Sequence, residues 1–133
     1  MPAYLTVQDV IAVHEDIMKR LGFSPASLRD MGALESATMR PRMAEQYEDA
    51  DLIRQAALLA VGISQAQAFL DGNKRTAFAV LDLFLRINAF KYSGEPLDLA
   101  RQLELVAERV DSLAAATARF ESWLKRSVSA LTE

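Results

Sequence analysis

Residues 51–89 read DLIRQAALLAVGISQAQAFLDGNKRTAFAVLDLFLRINA. Two apolar helical stretches with a short polar break between them are visible in this run. Asp51 is a good N-cap, because its carboxylate accepts from the free N–H groups of a first turn. The stretch it opens, about 52–69, is rich in Ala, Leu, Val and Ile. Asp71 and Gly72 end it. From residue 73 to 89 the apolar positions Ala77, Phe78, Val80, Leu81, Leu83, Phe84, Leu85 and Ile87 cover nearly every face. A helix of that kind belongs at the centre of a core.

The flanking sequence adds helices around this pair. Thr6 with Asp9 three residues on is a capping box with Asp in the place of Glu. Val7, Val10, Ile11, His14, Ile17, Met18 and Leu21 follow at helical spacing, and Gly22 is a stop. Residues 23–32 hold Pro25, two serines and Gly32, the composition of a loop or short hairpin. Residues 33–39 predict a short helix that Pro41 ends or kinks. Residues 91–95 read as a turn. Pro96 suits the first turn of a helix to about residue 110, and Ser112 caps a last helix to about residue 125. Phe120 and Trp123 on that helix are core residues. The expected fold is all-α: about six helices in a compact bundle, as a single domain over 1–133.

Composition narrows the function. The 133 residues are 51% hydrophobic, enough for a real core, and carry a formal net charge of −3, so no direct DNA binding is expected. There is no cysteine and one histidine, His14, which argues against thiolate chemistry and a His-based zinc site. His14 falls on the apolar repeat and reads as a core histidine. The first residues lack a basic start followed by an apolar run, so no signal peptide is expected. The longest apolar run, 56–63, is far too short to span a bilayer. A cytoplasmic protein without a membrane partner is the default expectation.

The break between the two central helices carries the chemistry. It sits at a helix N-terminus, where free N–H groups and the dipole favour an anion. Gly72 lets the backbone approach a ligand. Asn73 offers donors, and Lys74 and Arg75 add two cations, Arg with a bidentate fork for phosphate. A carboxylate at Asp71 repels bare phosphate but suits Mg²⁺ held between protein and phosphates. The bland alternative makes Asp71 an N-cap and the cations a solvated first turn. Two cations there oppose the dipole, at a few tenths to about 1 kcal/mol each, which favours a bound anion.

Phe69-Leu70-Asp71-Gly72-Asn73-Lys74-Arg75-Thr76 resembles the core motif of the Fic/Doc family, and specifically of its Doc branch, the toxins of Phd–Doc-type toxin–antitoxin modules. The family pattern is His-x-Phe-x-Asp/Glu-Gly/Ala-Asn, then Gly in Fic enzymes or Lys in Doc proteins, then Arg. His14-Glu15, the run from Leu28 to Ala37 and Arg40-Pro41 are also similar to the Doc N-terminal half. The resemblance covers about residues 4–126. It implies that Asp71 binds Mg²⁺, that Gly72, Asn73, Lys74 and Arg75 bind the phosphates of ATP, and that Phe69 anchors the loop. It implies a flap at Leu28, Arg29, Asp30 and Met31 that holds a target peptide by strand addition. Fic enzymes transfer AMP; Lys74 implies the Doc reaction, transfer of the γ-phosphate to a threonine of elongation factor Tu. No self-inhibitory Ser/Thr-x-x-x-Glu-Gly/Asn segment is visible, which implies inhibition by a Phd-type antitoxin that folds on the toxin.

One position departs from the pattern. The family's histidine, the base that takes the proton from the attacking hydroxyl, is replaced by Gln67. An amide has no usable basicity near neutral pH, and loss of such a base costs about 10²–10⁴-fold in rate. The chain is either a natural pseudoenzyme or an otherwise complete site silenced at its base, and the intact Asp71–Arg75 run favours the second. Binding without catalysis, AMP transfer and a plain helical domain are the rival readings. Arg40 and Arg42 read as a solvated face near the loop. Met31, Met39 and Met43 read as ordinary packing or an adaptable surface.

Overall fold

The computed structural model describes residues 2–24 and 28–132. Along the chain run α1 (Val7–Arg20), α2 (Met31–Glu48), α3 (Leu52–Ala66), α4 (Asn73–Ile87), β1 (Phe90–Tyr92), α5 (Pro96–Ala107), α6 (Leu113–Lys125) and β2 (Val128–Ala130). The fold is the all-α bundle expected, with α3 and α4 at its middle. Ala56, Ala60, Val61 and Ile63 of α3 and Ala77, Val80, Leu81, Phe84 and Leu85 of α4 are all buried. Among the described residues, no helix is long and apolar enough to cross a membrane.

Local signals place four helix starts. Thr6 and Asp9 form the reciprocal capping box of α1, at 3.1 Å and 2.8 Å. Asp51 accepts from Arg54 N at 2.8 Å and Ser112 from Ala115 N at 3.0 Å. Asp30, expected in the flap, is the N-cap of α2 and accepts from Ala33 N at 3.0 Å. Met31 and Gly32 therefore lie in α2 and not in a hairpin.

Three expectations are corrected. The helix predicted for 33–39 does not stop at Pro41: α2 runs through it to Glu48. Pro41 removes one backbone hydrogen bond, but Pro41 and Ala44 beyond it are buried, and continued packing on α3 outweighs the loss. Small residues permit the close approach. A Cβ on Gly62 of α3 would lie 3.3 Å from Ala37 Cβ and from Arg40 Cδ. The helix predicted for 52–69 ends at Ala66, because Gln67 turns left-handed (φ 51°, ψ 42°). The predicted turn at 91–95 begins as strand β1, which pairs antiparallel with β2 in the register Phe90–Ala130, Lys91–Ser129, Tyr92–Val128. Three-residue strands carry no visible alternation.

Of the segment expected as a loop or hairpin, Pro25, Ala26 and Ser27 lie outside the described residues. Leu28 makes a single antiparallel bridge with Phe69.

Candidate active site

The left-handed turn at Gln67 ends α3 and leads into Ala68 and Phe69, the second of which bridges to Leu28. A non-glycine residue in that conformation costs about 1–3 kcal/mol and persists only where its surroundings impose it. The imposing contacts come from the segment before α2. Arg29 N and Asp30 N both donate to Ala68 O, at 2.6 Å and 3.1 Å. The Arg29 guanidinium donates to Gln67 O at 2.6 Å. The proposed flap is thus bonded edge-on to the motif, and it holds the backbone of residue 67. The Gln67 side chain itself is exposed.

The next residues form a tight loop. Phe69 is 2% exposed and stacks on His14, with ring centres 3.8 Å apart and planes 7° from parallel. His14 is 1% exposed and its Nε2 donates to Asp71 O at 2.9 Å. Nε2 is therefore the protonated nitrogen, since a carbonyl only accepts. His14 is a satisfied core histidine. Asn73 closes the loop: its Oδ1 accepts from Phe69 N at 3.1 Å and its Nδ2 donates to Phe69 O at 2.9 Å. Its amide, read from the sequence as a phosphate donor, is turned inward. Gly72 has φ 81°, and a Cβ there would meet Met18 Sδ at 3.1 Å and the His14 ring at 3.3 Å. Both space and backbone require glycine.

Asp71 is not a helix cap, contrary to the bland reading. Gly72 occupies the N-cap of α4, and no side chain caps that helix. Asp71 Oδ1 instead accepts from Gly72 N at 2.8 Å, which leaves its exposed carboxylate a second oxygen for a ligand. The N–H groups of the first turn, carried by Asn73, Lys74 and Arg75, retain the positive end of the dipole. A cleft of about 280 Å³ opens at this point, lined by Ser64, Gln67 and residues 70–75. Ser64 is one of these lining residues, and its hydroxyl is buried without a hydrogen-bond partner within the protein. Thr76 Oγ1 is in the same state. The sequence held no signal for Ser64, which looks like any small helix residue.

Charge at the cleft is unbalanced. The ion pairs of the described residues involve Arg20, Arg54, Arg86, Arg101, Arg119 and Lys125. Lys74 and Arg75 are in none of them, and both are exposed. They stand on a ridge between the cleft and a larger groove of about 640 Å³, whose walls include Ile17, Leu21, Phe78, Leu97 and Leu103. Among the described residues no three His, Cys, Asp or Glu side chains converge as a metal cage. A single free carboxylate is a donor that Mg²⁺ uses where phosphates and water complete its shell. Asp71 fits that role.

Other predicted residues lie elsewhere. Arg42 packs over the Tyr4 ring at 4.9 Å, away from the loop. Arg40 is half-buried in a groove of about 700 Å³ with Met39, Met43 and Gly62. Burial there, and then the neighbouring Arg54, hold its guanidinium below the usual value. Met31, Met39 and Met43 are exposed. Phe120 is buried and Trp123 packs beside it at 5.9 Å.

A tight glycine turn between two central helices, with the Leu28–Asp30 segment hydrogen-bonded to its entrance, defines the class of fold. Comparison with known proteins gives its family. The model of the Fic/DOC family matches residues 4–85. Over 101 residues the chain is 36% identical to "Toxin Doc" of Mycolicibacterium smegmatis (strain ATCC 700084 / mc(2)155), covering 70% of this chain and 77% of that protein. Over 94 residues it is 31% identical to "Protein kinase doc" of Escherichia phage P1, covering 70% of this chain and 74% of that protein. The chain belongs to the Fic/Doc family, in its Doc branch.

Proposed function

We propose that this protein is a Doc-type toxin built to move the γ-phosphate of ATP onto a protein hydroxyl, and that Gln67 holds it inactive. The observation that carries the reading is the uncapped N-terminus of α4. There Gly72, Lys74 and Arg75 surround a cleft of about 280 Å³ with Asp71 at its edge. The name of the phage P1 relative, a protein kinase, supports phosphotransfer. Lys74 in place of a second glycine supports the same choice over AMP transfer.

Each residue has a task in this scheme. First-turn N–H groups and the Arg75 fork hold phosphate oxygens. Lys74 adds a point charge beside the transferring group. Asp71 would hold Mg²⁺, which offsets phosphate charge when bound. Asn73 and Phe69 shape the loop. The Leu28–Asp30 segment uses one edge on Ala68 and offers the other to an extended target peptide. Residue 67 lies where the target hydroxyl must lose its proton, and glutamine cannot take it. A threonine of elongation factor Tu is the proposed target, a Phd-type antitoxin the proposed inhibitor, and the cytoplasm the proposed location.

The test is Gln67→His with ATP labelled at the α- or the γ-phosphate. Label from the γ-position on elongation factor Tu, together with arrested growth, is the expected result. Transfer of the α-label makes the protein an AMP transferase instead. A second reading rests on Gln67 itself: a dead binding module that occupies target or antitoxin. Tight target binding with no activity gained by Gln67→His favours that one.

A further inference from the structure

We infer that His14 is a positioning residue for the phosphate loop, acting from α1 through the Asp71 backbone. The inference rests on reading the cleft as a magnesium–nucleotide site. The four residues of the break, 69–72, have few hydrogen bonds of their own. Asn73 ties both polar atoms of Phe69, and Gly72 N is held by the Asp71 carboxylate. The Asp71 carbonyl is held from outside, by His14 Nε2 at 2.9 Å. The same ring covers Phe69 face to face at 3.8 Å and lies against the only side of Gly72 that a Cβ would occupy. One buried side chain therefore touches three of the four residues.

The consequence is geometric. The Asp71–Gly72 peptide unit carries the carbonyl that His14 holds and the N–H that the Asp71 carboxylate accepts. If the carbonyl is released, that unit is free to rotate. Rotation turns Gly72 N–H away from Asp71 Oδ1, and the carboxylate loses its fixed direction beside the cleft. A filler role predicts otherwise: any flat ring on Phe69 then serves as well as imidazole. Two substitutions separate the roles. His14→Phe keeps the stack and removes the donor. His14→Gln keeps an N–H donor and removes the ring.

Amide hydrogen exchange and calorimetric ATP binding, with and without Mg²⁺, are measured on both variants and on the parent. In His14→Phe, exchange at Phe69 and Gly72, the hydrogen-bonded amides of the loop, is expected to rise about tenfold, the effect of one lost hydrogen bond in a part-buried site. Mg²⁺-dependent ATP affinity is expected to fall about tenfold, while affinity in chelator changes by less than about threefold. His14→Gln is expected to match the parent within about threefold in both. Unchanged loop exchange in His14→Phe, or equal losses in the two variants, overturns the proposal. If His14→Phe does not fold, His14→Gln decides alone: parent-like exchange supports the role and raised exchange refutes it. A parent that binds no Mg²⁺–ATP sinks the functional reading, and the exchange comparison still decides His14.

Discussion

Gln67 shows how a single residue serves backbone and chemistry at once. Its left-handed conformation, φ 51°, ends α3 and begins the loop. Histidine is among the residues that tolerate this region, so Gln67→His should fold as the parent does while it restores a base. Gln67→Gly relieves the strain and should raise stability by about 0.5–1 kcal/mol in denaturant unfolding, since only the main chain of residue 67 bonds to Arg29. Gly72 is the opposite case. Gly72→Ala puts a methyl against Met18 and His14 at a positive φ and should cost about 1–3 kcal/mol by the same measurement. Ser64 separates ligand from scaffold. Ser64→Ala removes a buried hydroxyl without a partner, so stability should hold or rise by up to about 1 kcal/mol. A simultaneous fall in nucleotide affinity marks the hydroxyl as a ligand contact.

At the scale of elements, α2 and α3 pack together, and the segment before α2 meets the motif that follows α3. Gly62 keeps these helices close. Gly62→Leu should force them apart and cost about 1–3 kcal/mol, with the loss read from chemical denaturation. Arg54 ties the same region together, pairing with Glu48 at the end of α2 and with Glu121 of α6 at 2.9 Å. Those two carboxylates raise its guanidinium above the usual value. The side chain is about one third exposed, so screening discounts the pair. Arg54→Ala should lose about 1 kcal/mol at low salt and less at high salt. Arg101→Ala, whose partners are exposed, should lose little. Equal effects of the two substitutions would show that the α2–α3–α6 tie has no special weight. Helix starts were legible in sequence because caps are local: Thr6, Asp51 and Ser112 announce themselves within three residues. The continuation of α2 past Pro41 was not legible, because it depends on what α3 presents to it.

For the whole molecule, ligand binding and folding are linked. If the cleft holds Mg²⁺–ATP, a hundredfold excess over Kd should stabilise the native state by about 2.7 kcal/mol, visible as a rise in Tm. Asp71→Asn should abolish the Mg²⁺-dependent part of that rise and leave the unliganded Tm close to the parent's. The two ends of the described chain are drawn to one face by long-range bonds. Asn88 bonds to Ala3 at 2.7 Å and 2.9 Å, and Leu131 N donates to Ala89 O at 2.9 Å beside the β1–β2 pair. The sequence by itself determined the helical class, the two central helices, most of the caps and the place of the Asp71–Arg75 run at the break between those two helices. Those properties follow from period and capping, or from residue types a few positions apart. Tertiary structure alone decided that the Gln67 carbonyl is bonded by Arg29, that Asn73 faces inward and that Ser64 lines the cleft. It also decided that the histidine of α1 holds a loop 57 residues away. Each of these is a contact between segments distant in the chain, and no local pattern encodes which segments will meet.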